Sequence, residues 1–333
     1  MTEVFNGIKT IQIHAQTRYP IVSAYEFEFL KSETEIQALL KPCTIYFILQ
    51  RPLLYFDNVK IENGEITFRI CDSSSSEPLH CTFEPSECGL GAPDEEILLD
   101  VQFYKKTPDT VPPFNDVGAL RFLNLKRDFL GWFSPTKFLY EYLLGTLAAT
   151  IDGDITKYLN YKVHYIGKSF SQDIWNRLTG HEKMQSILTL EDVISAHPNA
   201  RAPFEICLLM LDIDGFDEAN LFPSFEFMLQ PGDVPIVHNF TMEDDDDQSF
   251  IKYYSPALEP RAAELTTEVE AMLVSSFKPK YNKIVFEKYP FIQSGTRSAG
   301  YTKSSLLIER MPAILSTDDH EQGLVLPRHS NDG

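Results

Sequence analysis

The chain has 333 residues, 43% of them hydrophobic and 23% charged, the balance of a globular protein able to bury a sizeable core. Lysine and arginine number 29 against 48 aspartates and glutamates, so the net charge is −19 and the chain as a whole repels nucleic acid. No run of about 18 apolar residues is present, and the first residues lack the layout of a secretion signal. A cytoplasmic protein with no membrane contact is therefore expected, and its five cysteines are expected to be free thiols.

Residues 1–134 read as a β-rich domain of unassigned role. Strands are expected at Cys43–Gln50, Glu65–Cys71 and Glu96–Tyr104, separated by Asn-Gly, serine-rich and Gly/Asp-rich turns, with one short helix near Glu33–Leu40. Residues 135–154 read as a helix and linker. Ser134-Pro135 starts the helix, which is expected over Thr136–Ala149, and Ile151-Asp152-Gly153-Asp154 breaks the chain. A second domain is expected over 155–293. It holds a strand at Tyr158–Ile166, a helix at about Gln172–Leu188, a buried strand at Phe204–Ile213 and a helix from Pro260 to Phe277. An irregular acidic insertion at 214–257 interrupts it. Residues 294–333 read as a polar, partly disordered tail. Asp212, Asp214, Asp217 and Glu218 have the glycine of a calcium loop at the wrong position and lack its distal glutamate, and they read as a solvated loop.

Two segments of the second domain carry chemistry. The first runs Tyr165-Ile166-Gly167-Lys168-Ser169, Trp175-Asn176-Arg177-Leu178 and His181; the second runs Glu270-Ala271-Met272-Leu273 and closes with Phe277-Lys278-Pro279-Lys280-Tyr281-Asn282. Arg177 and His181 stand four residues apart, so a helix presents them on one face. An arginine fork beside an imidazole suits a phosphodiester, one group holding charge and the other moving a proton. At helical spacing, Leu265, Val269, Met272, Leu273 and Phe277 share an apolar face with Glu270 at its rim. A lone carboxylate there suits Mg²⁺, which keeps several waters. From Tyr161 to Lys183 four basic residues meet two acidic ones, and from Lys278 to Lys288 four lysines meet one glutamate, so both segments are locally cationic.

In this order and local spacing the segments resemble the GIY-YIG nuclease superfamily over residues 155–290. The resemblance implies an α+β fold with a small central sheet flanked by helices, and a metal-dependent endonuclease that hydrolyses DNA phosphodiesters, RNA being the other candidate. It implies Tyr165, Arg177, His181 and Asn282 as catalytic residues and Glu270 as the ligand of Mg²⁺ or Mn²⁺. Lys168, Lys278 and Lys280 are expected to contact nucleic acid. The family's opening Gly-Ile-Tyr triplet does not occur upstream of Tyr165. Tyr158 and Tyr161 lie too close for a two-strand hairpin, and Tyr140 and Tyr142 lie in an expected helix, so the first tyrosine has no assignment. The alternative is a catalytically impaired adaptor that binds nucleic acid or protein. Target recognition or homo-oligomerisation falls to the N-terminal region by elimination.

Overall fold

The computed structural model describes residues 10–30, 32–62, 64–74, 77–91, 96–104, 107–169, 174–179, 204–219, 236–239, 262–284, 286 and 288–323. It is a strand-rich mixture of helix and sheet, in keeping with the expected α+β class. The chain begins with β1 (Thr10–Thr17), β2 (Val22–Ser23), helices α1 (Ala24–Leu30) and α2 (Thr34–Leu40), and β3 (Cys43–Pro52). It then builds a separate sheet from β4 (Leu54–Glu62), β5 (Glu65–Asp72), β6 (Leu79–Phe83), β7 (Ile97–Phe103), β8 (Val117–Asn124), β9 (Phe129–Phe133) and β10 (Thr150–Asp152), with α3 (Pro135–Leu143) between the last two. Finally it returns to the first sheet with β11 (Asn160–Lys168), α4 (Ile174–Thr179), β12 (Phe204–Ala219), β13 (Ile236–Asn239), α5 (Ala262–Phe277), β14 (Lys303–Glu309), β15 (Ile314–Ser316) and β16 (Glu321–Gly323).

Among the described residues, nine strands thus form one sheet, in the order β14-β1-β12-β3-β11-β15-β16 with β2 and β13 paired to β12, and seven form the other. The strands do not divide at residue 134. β1 and β3, expected in the N-terminal domain, pair with β12, and β3 also pairs with β11. The seven-stranded sheet is an insertion between β3 and β11. Alternation explains both assignments: β5 buries Ile66, Phe68 and Ile70 on one face, whereas Cys43–Leu49 of β3 is buried on both.

One face of the nine-stranded sheet packs Ile45, Phe47, Val163, Ile166 and Leu209 against Leu265, Val269, Leu273 and Phe277 of α5, the face expected from helical spacing. The opposite face packs Tyr46, Ile48, Leu208 and Met210 against Phe27, Leu40, Ile174 and Leu178 from α1, α2 and α4. In the inserted sheet Phe138 of α3 meets Phe56, Phe68, Phe83 and Phe133 edge to face, with centroids 5.0–6.4 Å apart. The other side of α3 ties the insertion to the larger sheet. Buried Arg51 of β3 donates to the Thr136 hydroxyl, to Tyr161 Oη at 2.7 Å and to Glu205 at 2.8 Å, and Tyr140 Oη lies 2.9 Å from Thr17 Oγ1.

Several boundaries differ from expectation for physical reasons. Ser134 caps α3 by accepting from Lys137 N, as its position suggests, but the helix stops at Leu143 because Gly145 takes a left-handed φ of 71°. β12 continues to Ala219, into the stretch expected to be an irregular insertion, because β1 and β13 pair with it there. Asp212 and Asp214 therefore lie in a strand: Asp212 is buried beside Arg18, which donates to it at 2.6 and 2.8 Å. The expected tail forms β14 parallel to β1 and β15 parallel to β11. The remainder of the acidic insertion, and residues 324–333, lie outside the described residues. Among the described residues, no helix is long and apolar enough to cross a membrane.

Candidate functional site

The site assembles around β11. Its antiparallel register with β3 sets Ile166 opposite Phe47 and Gly167 opposite Tyr46, so Tyr46 and Tyr165 project from the same face of neighbouring strands. Their ring centroids lie 6.0 Å apart and their hydroxyls share a hydrogen bond. Tyr46 of the segment Thr44-Ile45-Tyr46 is thus the tyrosine that lies beside Tyr165. A β-strand signal at Cys43–Gln50 was legible, but its pairing with Tyr165 was hidden by the insertion between them.

The glycine of Tyr165-Ile166-Gly167 has a steric cause. A Cβ at Gly167 would fall 2.6 Å from Tyr46 Oη and 2.7 Å from a Tyr165 ring carbon. Only a bare backbone lets both rings lie across it.

Arg177 projects from α4, which seats Ile174 and Leu178 under the sheet and leaves the arginine exposed. Its guanidinium donates to the Tyr46 hydroxyl. Burial raises the Tyr46 phenol above its usual range, and the Arg177 bond partly offsets the rise. Burial also raises Tyr165; the Tyr46 hydrogen bond and the Arg177 charge pull it down, and the Glu270 charge pushes it up. Tyr165 therefore feels both the arginine of α4 and the glutamate of α5.

Glu270 sits at the rim of α5, its side chain 18% exposed, and pairs with Lys168 Nζ at 3.1 Å. Lys168 also donates to Thr267 Oγ1 at 3.0 Å. The helix is held against β3 by a buried bond of 3.0 Å between Thr266 Oγ1 and Thr44 Oγ1, two residues before Tyr46. Beyond α5, Asn282 closes the open edge of β11. Its Oδ1 accepts from Ile166 N at 3.0 Å, its Nδ2 donates to Ile166 O at 2.8 Å, and Tyr281 N donates to His164 O at 3.1 Å. The segment acts as a strand partner where, among the described residues, no strand lies.

Tyr165 and Lys168 thus lie on β11 with Asn282 against its backbone, Arg177 approaching from the α4 face and Glu270 from the α5 face. Lys278 and Lys280 are exposed on the segment leading to Asn282, Lys280 with its ammonium 5.3 Å from the Tyr281 ring centroid. His181 lies outside the described residues. Among the described residues no group of three or more His, Cys, Asp and Glu side chains could hold a metal ion. Comparison of the chain with protein-family models, curated proteins and solved structures finds no match in any of the three.

Proposed function

We propose that this protein is a metal-dependent endonuclease of the GIY-YIG kind, hydrolysing phosphodiester bonds of DNA. The observation that carries the reading is the tyrosine pair: Tyr46 and Tyr165 joined by a hydrogen bond, with Arg177 donating to the first and Glu270 acting electrostatically on the second. Two phenols bridged in this way can hold a water and pass its proton onward. Arg177, within reach of the phenol and exposed, stabilises the phenolate that proton transfer leaves and the charge that develops on the phosphoryl oxygens. Lys168, Lys278 and Lys280 draw in the backbone phosphates against the −19 of the whole chain. Asn282 keeps the Tyr165 strand in register, and His181 is a further proton carrier in this reading.

Glu270 would be the protein ligand of Mg²⁺ or Mn²⁺, since such an ion keeps several waters and is commonly held by one or two carboxylates together with substrate phosphates. When bound, such an ion supplies Lewis-acid polarisation of the scissile phosphate. The inserted seven-stranded sheet is assigned target recognition, through its fixed attachment to β3 and β11.

The test is cleavage of plasmid and of labelled DNA and RNA oligonucleotides with Mg²⁺ or Mn²⁺, comparing wild type with Glu270→Ala and Tyr46→Phe. Wild type is expected to cut DNA, and Glu270→Ala to bind but not cut. Glu270→Ala cutting at the wild-type rate would remove the metal assignment, and a wild type that cuts nothing would put the adaptor reading first.

A further inference from the structure

Lys168 is held more firmly than a residue that only attracts phosphate needs to be. The backbone before it is fixed by Asn282 on Ile166, and the backbone after it by Ser169 N donating to Thr44 O at 2.8 Å. Its ammonium has two acceptors, Glu270 Oε2 at 3.1 Å and Thr267 Oγ1 at 3.0 Å. The Thr267 hydroxyl spends its own proton on Ala263 O at 3.0 Å, which leaves a lone pair aimed at the lysine. The ammonium therefore lies on the carboxylate assigned to the metal, in a place built to receive it. A divalent cation on the same oxygen would sit roughly 2 Å away, and two positive centres that close oppose each other.

We propose that Lys168 guards Glu270, an inference that rests on the metal-dependent nuclease reading. In the free protein the Lys168–Glu270 pair keeps the carboxylate from a divalent ion. A backbone phosphate of the nucleic acid offers the ammonium a second anion; the side chain, about a third exposed, turns to it by its own rotamers while its backbone stays fixed. Glu270 is then released to the metal. Nucleic acid and metal so favour each other's binding, and by linkage the factor is the same in both directions. The protein holds its metal tightly only where a phosphodiester is already in place, which suits an enzyme whose unguarded activity would damage DNA.

The experiment is a Mn²⁺ titration of the full-length protein without nucleic acid, followed by the electron paramagnetic resonance signal of free Mn²⁺, for wild type, Lys168→Met, Lys168→Arg and Glu270→Gln. Thermal melts verify that each variant is folded; the arginine variant keeps the charge if the methionine one fails to fold. Lys168→Met is expected to bind Mn²⁺ about tenfold more tightly than wild type, within the usual range of coupling between sites. Lys168→Arg should stay near wild type, and Glu270→Gln should lose the site. Equal affinity in Lys168→Met and wild type, or tighter binding in Lys168→Arg, would overturn the guard while leaving the nuclease reading in place. Mn²⁺ bound by none of the four would instead overturn the assignment of Glu270. A fluorescent DNA duplex in EDTA gives the other half: Lys168→Met should bind it several-fold more weakly, and unchanged affinity would show that no phosphate takes the ammonium.

Discussion

Gly167 and Tyr46 occupy facing positions on β11 and β3, and the space a Cβ would need at Gly167 is filled by the Tyr46 hydroxyl, 2.6 Å away. Glycine at this place is what allows the two tyrosines to lie side by side. Gly167→Ala should therefore push Tyr46 from its partners and cost about 1–3 kcal/mol, the usual penalty for overpacking a filled site. Urea unfolding gives the stability loss, and cleavage should fall with it by more than the folded fraction alone accounts for.

Tyr165 is raised above its ordinary phenol value, chiefly by burial, with Glu270 adding to the rise. A proton acceptor works in its deprotonated form, whose fraction grows with pH up to the pKa. Cleavage in the proposed mechanism should thus climb from neutral pH through pH 9 without levelling off. Tyr165→Phe should leave a slow, flatter profile. A wild-type plateau near pH 7 would assign the proton transfer to another group.

Arg177 meets the Tyr46 hydroxyl and is free on its exposed side to meet phosphate. Arg177→Ala should lower the cleavage rate by roughly two powers of ten or more, the scale of one lost transition-state donor. Single-turnover kinetics separate this from weaker binding. Stability should change little, because the side chain fills no core.

Asn282 supplies both a donor and an acceptor to Ile166, and Asn282→Ala leaves two strand groups at the sheet edge without their partner. A cost of about 1–3 kcal/mol is expected. Amide hydrogen exchange at Ile166 should accelerate while exchange in the inserted sheet stays unchanged. Asn282→Asp keeps only the acceptor and should fall between the two.

Arg51 is buried, 4% exposed, with Glu205 as its charged partner and Tyr161 and Thr136 as neutral ones. Burial raises the Glu205 carboxyl, and Arg51 holds it down. Arg51→Met strands that carboxylate and should destabilise by about 3–5 kcal/mol. The double variant Arg51→Met/Glu205→Leu should recover much of the loss in the same denaturant experiment.

Local signals carried much of this fold to the page. The α5 stripe of Leu265, Val269, Leu273 and Phe277, the Ser134 cap and the β3 strand all rest on spacing within one element, and each appears in the structure. The strands from 303 onward did not announce themselves, because the polar segment of β14 takes its order from pairing with β1 and β15 takes its order from β11. Tyr46 was missed for a similar reason. It pairs with Tyr165 only through the β3–β11 ladder, and Thr44, two residues before it, holds Thr266 of α5. Tyr158 and Tyr161, too close to Tyr165 in sequence for a two-strand hairpin, have other places: Tyr158 belongs to the core of the inserted sheet and Tyr161 to the Arg51 network.

The inserted sheet leaves β3 and rejoins β11 at nearly one point, since Gln50 stands opposite Lys162 in the ladder. For the larger sheet, everything from Leu54 to Tyr158 is topologically one hairpin loop. The entropy of closing a loop grows only slowly with its length, and a loop that has already folded presents its two ends side by side, like a turn of a few residues. A folded insert would thus set the ends of β3 and β11 side by side, although more than a hundred residues separate them in the chain.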